Sequence, residues 1–148
     1  MRIINRQARH DFTILDKLEA GIVLTGAEIK SIRAGRVALS ESHVRIISNE
    51  AFLINAFINP WMGSEKQGQE ATRSRKLLLH RAEIASLIGK LSGSDLTLIP
   101  LSIYLKKNLA KVEIALARSK KKYEKREILR KRAIERDVAR ELRGDKLH

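Results

Sequence analysis

The sequence predicts a mainly β protein: a closed barrel of about six strands with two short helices, followed by a basic C-terminal tail. Short β-rich runs recur through residues 12–117 and are separated by polar turns. Strands and helices do not alternate in the βαβ order that a parallel sheet requires. Residues 118–148 contain one Gly and no Pro, and are dense in Lys, Arg, Glu, Leu, Ile and Ala, a composition typical of a helix.

The predicted strands are runs rich in Ile, Val, Leu and Phe: residues 12–15, 21–24, 44–47, 52–58, 96–105 and 109–117. Residues 76–79 are either a further short strand or the approach to a helix. Glu19-Ala20-Gly21 predicts a bend or a bulge between the first two strands, because glycine weakens a strand interior. Ser48-Asn49-Glu50 and Lys106-Lys107-Asn108 have hairpin turn chemistry. Pro60 should end the fourth run. Residues 61–75 are polar without a clear period, which predicts a mobile loop.

Two short helices are predicted. Thr25 is the expected N-cap of the first, over residues 26–34, with Glu28 at the capping-box position and Gly35 at the C-terminal cap. The second follows His80, where four apolar residues recur at helical spacing: Ile84, Leu87, Ile88 and Leu91. These elements together favour a closed barrel of the oligonucleotide-binding type (OB-like) over residues 1–118.

Composition narrows the functional class. The 148 residues include 30 Lys and Arg, 17 Asp and Glu, and no Cys, with a net charge of +13. This excess attracts polyanions, so nucleic acid or an anionic membrane is the expected partner. The four His lack metal-ligand spacing, and no phosphate loop or nucleophile elbow occurs, so we expect no metal, no cofactor and no enzyme activity. No apolar run of 18 residues occurs, which predicts a soluble, cytoplasmic protein.

Residues 119–148 are predicted to form a separate basic tail. Residues 118–148 hold 13 Lys and Arg and 6 acidic residues, a net charge of +7. Cations neutralise phosphates, and the Tyr123 ring can stack on an exposed base. On one helix the apolar side chains form a stripe: Tyr123, Ile128, Ile134, Val138, Ala139 and Leu142. A helix of this length is marginal alone, so its order should depend on a partner.

Cations on the body form two groups that could bind phosphates or be ordinary solubility charge. One group follows the first predicted helix and comprises Lys30, Arg33 and Arg36. The other lies on the predicted loop and comprises Arg73, Arg75 and Lys76. The N-terminal string is either an RNA-binding element or a frayed terminus, and contains Asn5, Arg6, Gln7, Ala8, Arg9 and His10.

Four strings cover nearly the whole chain in order: Asn5-Arg-Gln-Ala-Arg-His10, the run from Glu19 to Gly35, Thr72-Arg-Ser-Arg-Lys-Leu-Leu-Leu79 and Lys111-Val-Glu-Ile-Ala-Leu-Ala117. Their order and spacing resemble the family of small protein B, the SsrA-binding proteins of bacterial trans-translation. The resemblance implies an oligonucleotide-binding-type barrel whose tail is disordered in the free protein. It also implies ribosome rescue: binding the tRNA-like domain of tmRNA (SsrA RNA), delivery with elongation factor Tu, and entry of the tail into the empty mRNA channel of the 70S ribosome.

The resemblance also assigns residues. Asn5, Glu19, Leu78 and Lys111 match positions linked to tmRNA binding. Lys111 is expected to meet phosphate, Glu19 to accept bonds from sugar or base or to hold a cation, and Leu78 to support the surface by packing. The family's tail motif near the decoding centre is matched by Tyr123, Glu124, Lys125 and Arg126. The lysines before it are assigned to the ribosome-binding tail: Lys120, Lys121 and Lys122. The apolar side of the channel helix is Ile134, Val138 and Leu142. Departures from the family pattern are Ala71, Ser119 and Glu124.

Three other functions fit part of the pattern. Charge and barrel alone suit a constitutive ribosomal or RNA-chaperone protein. A nuclease lacks support, because no acidic pair or His constellation is present. The apolar stripe of the basic tail also suits a membrane surface. The resemblance favours the tmRNA adaptor over all three.

Overall fold

The computed structural model describes residues 2–59 and 71–120, together with Ile134 and Arg136. The strands in these ranges are β1 (Arg2–Ile4), β2 (Phe12–Ile22), β3 (Val37–Ala38), β4 (His43–Ile47), β5 (Glu50–Ile54), β6 (Phe57–Ile58), β7 (Arg75–Leu78), β8 (Leu96–Lys106) and β9 (Leu109–Ser119). The helices are α1 (Arg6–Asp11), α2 (Gly26–Arg33) and α3 (Arg81–Leu91). In the described part of the chain, no helix is long and apolar enough to cross a membrane.

Six strands close into a barrel, as the sequence predicts. Their order is β8, β4, β5, β7, β2 and β9, and β9 pairs back onto β8. The long hairpin of β8 and β9 is antiparallel from the Leu96 and Arg118 pair to the Lys106 and Leu109 pair. On the other edge of β8, β4 pairs only through Val44 and Leu98, and β1 occupies residues 102–104. The short strands β3 and β6 form a separate ribbon.

The barrel interior is the main hydrophobic core. It is filled by inward-facing aliphatic side chains with almost no exposure: Leu53, Leu77, Leu98, Ile103, Val112 and Ile114. Ile32 of α2 and Leu87 of α3 belong to the same cluster, so the helices cover it. Burial of this apolar area supplies most of the favourable free energy of folding.

A second, smaller core explains α1, a helix that the sequence analysis did not predict. Ala8 packs with Ile99, Leu101, Ala115 and Ala117, which are all buried outside the barrel interior. This stretch of the hairpin is therefore buried on both faces. Because tertiary packing decides the conformation of so short a segment, the N-terminus is ordered and the alternative of a frayed terminus is wrong.

The predicted turns and the two predicted helices are confirmed. The Thr25 hydroxyl accepts from the Glu28 amide at 3.2 Å, and the Glu28 carboxylate accepts from the Thr25 amide at 3.0 Å, a complete capping box. Gly35 ends the helix with a φ of +73°. Both hairpin turns have two residues at positive φ: Ser48 and Asn49 in one, Lys107 and Asn108 in the other.

Two strand boundaries were predicted wrongly. β2 runs unbroken through Glu19-Ala20-Gly21, and its irregularity lies between Ile14 and Asp16, where the register with β9 shifts. Residues 52–58 are not one strand, because Asn55 has a φ of +62° and separates β5 from β6. The ladder pairs each half with a different partner: β5 with β4 and β7, and β6 with β3.

The last barrel strand, β9, ends at Ser119, one residue past the boundary predicted at 118. Ser119 pairs with Phe12, and the Lys120 amide donates to the Asp11 carbonyl at 2.8 Å. Ile134 is helical and 57% exposed. The other tail residues assigned above lie outside the described residues: Lys121, Lys122, Tyr123, Glu124, Lys125, Arg126, Val138 and Leu142. Pro60 and most of the predicted loop also lie outside.

Candidate nucleic-acid interface

A transverse row of residues crosses the outer face of five neighbouring strands. Its members are cross-strand partners in the order Leu78, Gly21, Lys111, Tyr104 and Arg2. Directly paired residues project to the same face of a sheet. Leu78 is 54% exposed, and a Cβ added at Gly21 would lie only 3.3 Å from the Leu78 Cβ. The row thus brings two predicted site residues, Leu78 and Lys111, onto one surface.

Glu19 lies beside this row on β2. One carboxylate oxygen accepts a hydrogen bond from the Tyr104 hydroxyl, and the other lies 3.9 Å from the Lys106 ammonium. The Tyr104 hydrogen bond is the main cause that lowers the pKa of Glu19, and Lys106, Lys111 and Arg2 act in the same direction. Burial and then the bond to Glu19 raise the pKa of Tyr104 to about 12. Glu19 is therefore an anion and Tyr104 a donor at neutral pH.

Arg2 covers the Tyr104 ring. Its guanidinium carbon lies 4.1 Å from the ring centroid, a cation–π contact. Its Nη1 also donates to the Ser102 hydroxyl at 2.9 Å and lies 3.8 Å from the Glu113 carboxylate. We call Arg2, Glu19, Tyr104 and Lys106 the Glu19 network. Its other three members were not predictable from the sequence, since 85 residues separate Glu19 from Tyr104 and no local pattern links them.

One predicted cation of α2, Arg33, contacts the turn between β8 and β9. Lys30 and Arg33 are exposed, and the Arg33 guanidinium donates to the Asn108 side chain at 3.3 Å. Arg36 lies beyond the helix end and is also exposed. Because Lys106 and Lys107 lie in and beside the same turn, the cationic surface continues from the Glu19 network to α2. Such a surface attracts the phosphates of a nucleic acid.

The side chains of Lys76 and Arg73 differ in how far they are available to bind an RNA. The Lys76 side chain is 48% exposed and lies 3.8 Å from the Glu50 carboxylate, two residues before Leu78 on the same strand face. Arg73 is 33% exposed and also binds the Glu28 carboxylate. Lys76 thus extends the outer surface near Leu78, whereas Arg73 is partly buried and bound to a carboxylate inside the protein.

Arg75 is not the exposed loop cation that the sequence predicts. It lies in β7 with a fully buried side chain, and its Nε donates to Glu28 at 2.6 Å. Its Nη1 donates to the Ala56 carbonyl at 2.7 Å. Burial alone would raise the pKa of Glu28, but bonds from Arg73, the Thr25 amide and Arg75 lower it overall. Arg75 joins α2 to the barrel and does not face solvent.

Asn5 is likewise an internal residue. Its side chain caps α1 by accepting from the Ala8 amide at 3.3 Å. Its amide nitrogen donates to the Pro100 carbonyl at 2.9 Å and to the Leu39 carbonyl at 3.2 Å. With 5% exposure, Asn5 fixes the position of α1.

The α1 surface carries the other predicted N-terminal residues. Arg6, Arg9 and His10 are exposed on this helix. The His10 Nδ1 lies 3.0 Å from the Asp11 carboxylate, whereas the backbone carbonyl of Arg9 accepts from the Lys120 ammonium at 3.5 Å. The start of the tail therefore lies against this cationic helix. In residues 2–59 and 71–120, no group of three or more His, Asp or Glu could hold a metal ion.

Known proteins resemble this chain along most of its length. The family model described as SmpB protein matches residues 2–144. An SsrA-binding protein of Sulfurihydrogenibium sp. (strain YO3AOP1) is 49% identical over 140 residues, which are 95% of this chain and 92% of the relative. Another, of Enterococcus faecalis (strain ATCC 700802 / V583), is 46% identical over 142 residues, 96% of this chain and 92% of the relative.

A solved structure agrees with these sequence matches. One chain of the structure described as "tmRNA-SmpB: a journey to the center of the bacterial ribosome" is 46% identical and has a TM-score of 0.70. The match covers 84% of this chain and 87% of that chain. Sequence and fold lead to the same conclusion: the chain belongs to the SmpB protein family.

Proposed function

We propose that this protein is an RNA-binding adaptor that binds the tRNA-like domain of tmRNA and brings it to stalled ribosomes for trans-translation. The observation that carries this proposal is the identity of 46% to 49%, over almost the whole chain, with proteins named SsrA-binding protein. The similar solved chain comes from a structure described by tmRNA and the bacterial ribosome. In this proposal the protein acts in the cytoplasm as an adaptor and catalyses no reaction.

The outer surface of the barrel supplies the RNA-binding groups. Lys111, Lys106 and Lys76 provide cations for phosphates, and Lys30 and Arg33 extend the same charge along α2. Leu78 offers exposed apolar area against a base or ribose. Glu19 contributes an acceptor, which a phosphate cannot use. Asn5 and Arg75 support this surface from inside the fold.

The tail is proposed to act on the ribosome. Its cations and Tyr123 suit the ribosomal RNA of the decoding centre, and the apolar stripe through Ile134, Val138 and Leu142 suits a helix that orders in the mRNA channel. The hydrogen bond from the Lys120 amide to the Asp11 carbonyl holds the start of the tail against the barrel. Elongation factor Tu would join through alanylated tmRNA.

A binding and tagging assay tests this division of labour. Full-length protein and a variant ending at Lys120 are titrated with the tRNA-like domain and with an ordinary tRNA. Both proteins should prefer the tRNA-like domain, but only the full chain should support peptide tagging on stalled ribosomes. Equal affinity of the full chain for both RNAs would contradict the proposed function. Equal loss of binding and tagging on truncation would contradict the separate role of the tail.

Ribosome profiles distinguish the adaptor from a constitutive ribosomal protein. On sucrose gradients the adaptor should accumulate on ribosomes when stalling is induced by messages that lack a stop codon. Stoichiometric occupancy of all ribosomes, independent of stalling, is the outcome that would exclude the adaptor role.

A further inference from the structure

We propose that Tyr104 is a positioning residue for RNA recognition: it holds one carboxylate oxygen of Glu19 so that the other is presented beside Lys106 as an acceptor for a ribose 2′-hydroxyl or a base amino group. This inference rests on the proposed function and names a recognition chemistry within it. Tyr104 need not touch the RNA, because it acts through Glu19.

The two side chains differ in mobility. Glu19 is 41% exposed, and a glutamate has three rotatable bonds whose freedom is lost when it binds a donor. Tyr104 is only 8% exposed, and its ring is covered by Arg2. A hydrogen bond from the fixed tyrosine therefore restricts the glutamate before RNA arrives, so less entropy is lost on binding.

The neighbouring carboxylate of Glu113 is the reason why Glu19 needs the restraint from Tyr104. Glu19 and Glu113 are directly opposed on β2 and β9, and like charges at such a pair repel each other. Without other contacts, this repulsion would turn the Glu19 carboxylate away from the hairpin. Arg2 lies near Glu113, and the Tyr104 hydroxyl binds Glu19, so each carboxylate has a contact that offsets the repulsion.

The charge arrangement selects the kind of RNA group that can bind. An anionic oxygen repels phosphates and accepts only from donors, of which RNA presents the 2′-hydroxyl and the exocyclic base amines. Lys106 and Lys111 flank it and attract the neighbouring phosphates. A nucleotide whose phosphate meets a lysine can thus place its donor on Glu19.

The test is a double-mutant cycle on RNA affinity with full-length protein. Tyr104→Phe removes the hydroxyl and keeps the ring, and Glu19→Gln removes the anion. We expect each single variant to weaken binding to the tRNA-like domain by roughly 5- to 10-fold. This is the size of effect expected when a hydrogen bond to a charged group is weakened but not fully lost. The double variant should bind no more weakly than Glu19→Gln alone. Ser86→Ala, which removes an exposed hydroxyl on α3, should bind like the natural protein.

Salt dependence adds a readout that a merely structural role would not predict. The slope of log affinity against log salt should be the same for Tyr104→Phe as for the natural protein, because no phosphate contact is lost. If the phenylalanine variant does not fold, Arg2→Ala replaces it in the same cycle, since Arg2 covers the tyrosine ring and its charge acts on Glu19. The loss should again disappear in the Glu19→Gln background.

Failure of the positioning role of Tyr104 can be distinguished from failure of the proposed function. Normal affinity of Tyr104→Phe together with weakened Glu19→Gln would overturn the positioning role and leave the proposed function standing. Equal losses from Tyr104→Phe in both backgrounds would also overturn it, because the tyrosine would then act independently of Glu19. Failure of the natural protein to prefer the tRNA-like domain would instead overturn the proposed function.

Discussion

Glu28 and Glu19 are two carboxylates whose pKa values are both lowered, yet they serve different ends. Glu28 is 3% exposed, and its oxygens are bound by Arg73, Arg75 and the Thr25 amide. Glu19 is 41% exposed and keeps one oxygen without a hydrogen bond to the described residues. A saturated, buried carboxylate holds the fold together, whereas a partly bound, exposed one is available for recognition. Accessibility, not the direction of the pKa shift, separates the two roles.

The largest expected effect is the loss of stability from breaking the buried pair. Glu28→Gln leaves the fully buried Arg75 guanidinium without its counter-charge, which typically costs about 3–5 kcal/mol. Urea denaturation of full-length protein measures the change. Exposed ion pairs contribute at most about 1 kcal/mol. If Glu28→Gln changes the unfolding free energy by no more than that, the buried pair at Glu28 stabilises the fold no more than an exposed pair does.

The same pair predicts a pH dependence. A carboxylate with a lowered pKa contributes stability that is fully present above its ordinary value of 4.5 and is lost as the pH falls through the folded-state value. The unfolding free energy of the natural protein should therefore fall on acidification below that value. Glu28→Gln should show a flatter acid dependence in urea titrations repeated from neutral to acidic pH. A parallel decline in both proteins would assign the acid sensitivity to other groups.

A smaller effect is expected on the affinity of the barrel surface for RNA. Lys111→Met should weaken binding to the tRNA-like domain by roughly fivefold and reduce the salt slope by about 1, because one phosphate contact is lost. The unfolding free energy should barely change. Lys90→Met on α3 is the matched control, since Lys90 is exposed and contacts only Asp16 at 3.6 Å among the described ion pairs. Equal slopes for both variants would remove Lys111 from the phosphate contacts.

The smallest effect is expected at an exposed ion pair. Arg118 lies 3.2 Å from Asp95, with side chains 48% and 42% exposed. Arg118→Ala should reduce the unfolding free energy by less than about 1 kcal/mol, in contrast to Glu28→Gln. A loss as large as that of the buried pair, measured by the same urea titration, would mean that exposure does not rank these interactions.

Local signals made part of the fold predictable. The capping box at Thr25 and Glu28, and the turn at Lys107 and Asn108, depend on residues within a few positions of one another. The helix α1 could not be predicted in this way, because six residues become helical only against Ile99 and Leu101, about 90 positions later in the chain. The break at Asn55 likewise reflects two different strand partners.

The candidate site was predictable only in part, for the same reason. Family resemblance identified Glu19, Leu78 and Lys111, and the ladder places Leu78 and Lys111 in one row with Glu19 beside it. Sequence clustering failed for Arg75, since a cation in a basic run looks exposed until its buried partner is known. It also could not reveal Tyr104, whose contact with Glu19 joins distant strands.

The most direct test of the difference between the two carboxylates compares Glu19→Gln with Glu28→Gln in full-length protein, measuring RNA affinity and urea stability for each. Glu19→Gln should lose affinity for the tRNA-like domain with an unchanged unfolding free energy. Glu28→Gln should lose stability while its folded fraction, assayed at low temperature, binds normally. Loss of both properties in both variants, or the reverse assignment, would contradict the separation of recognition from folding.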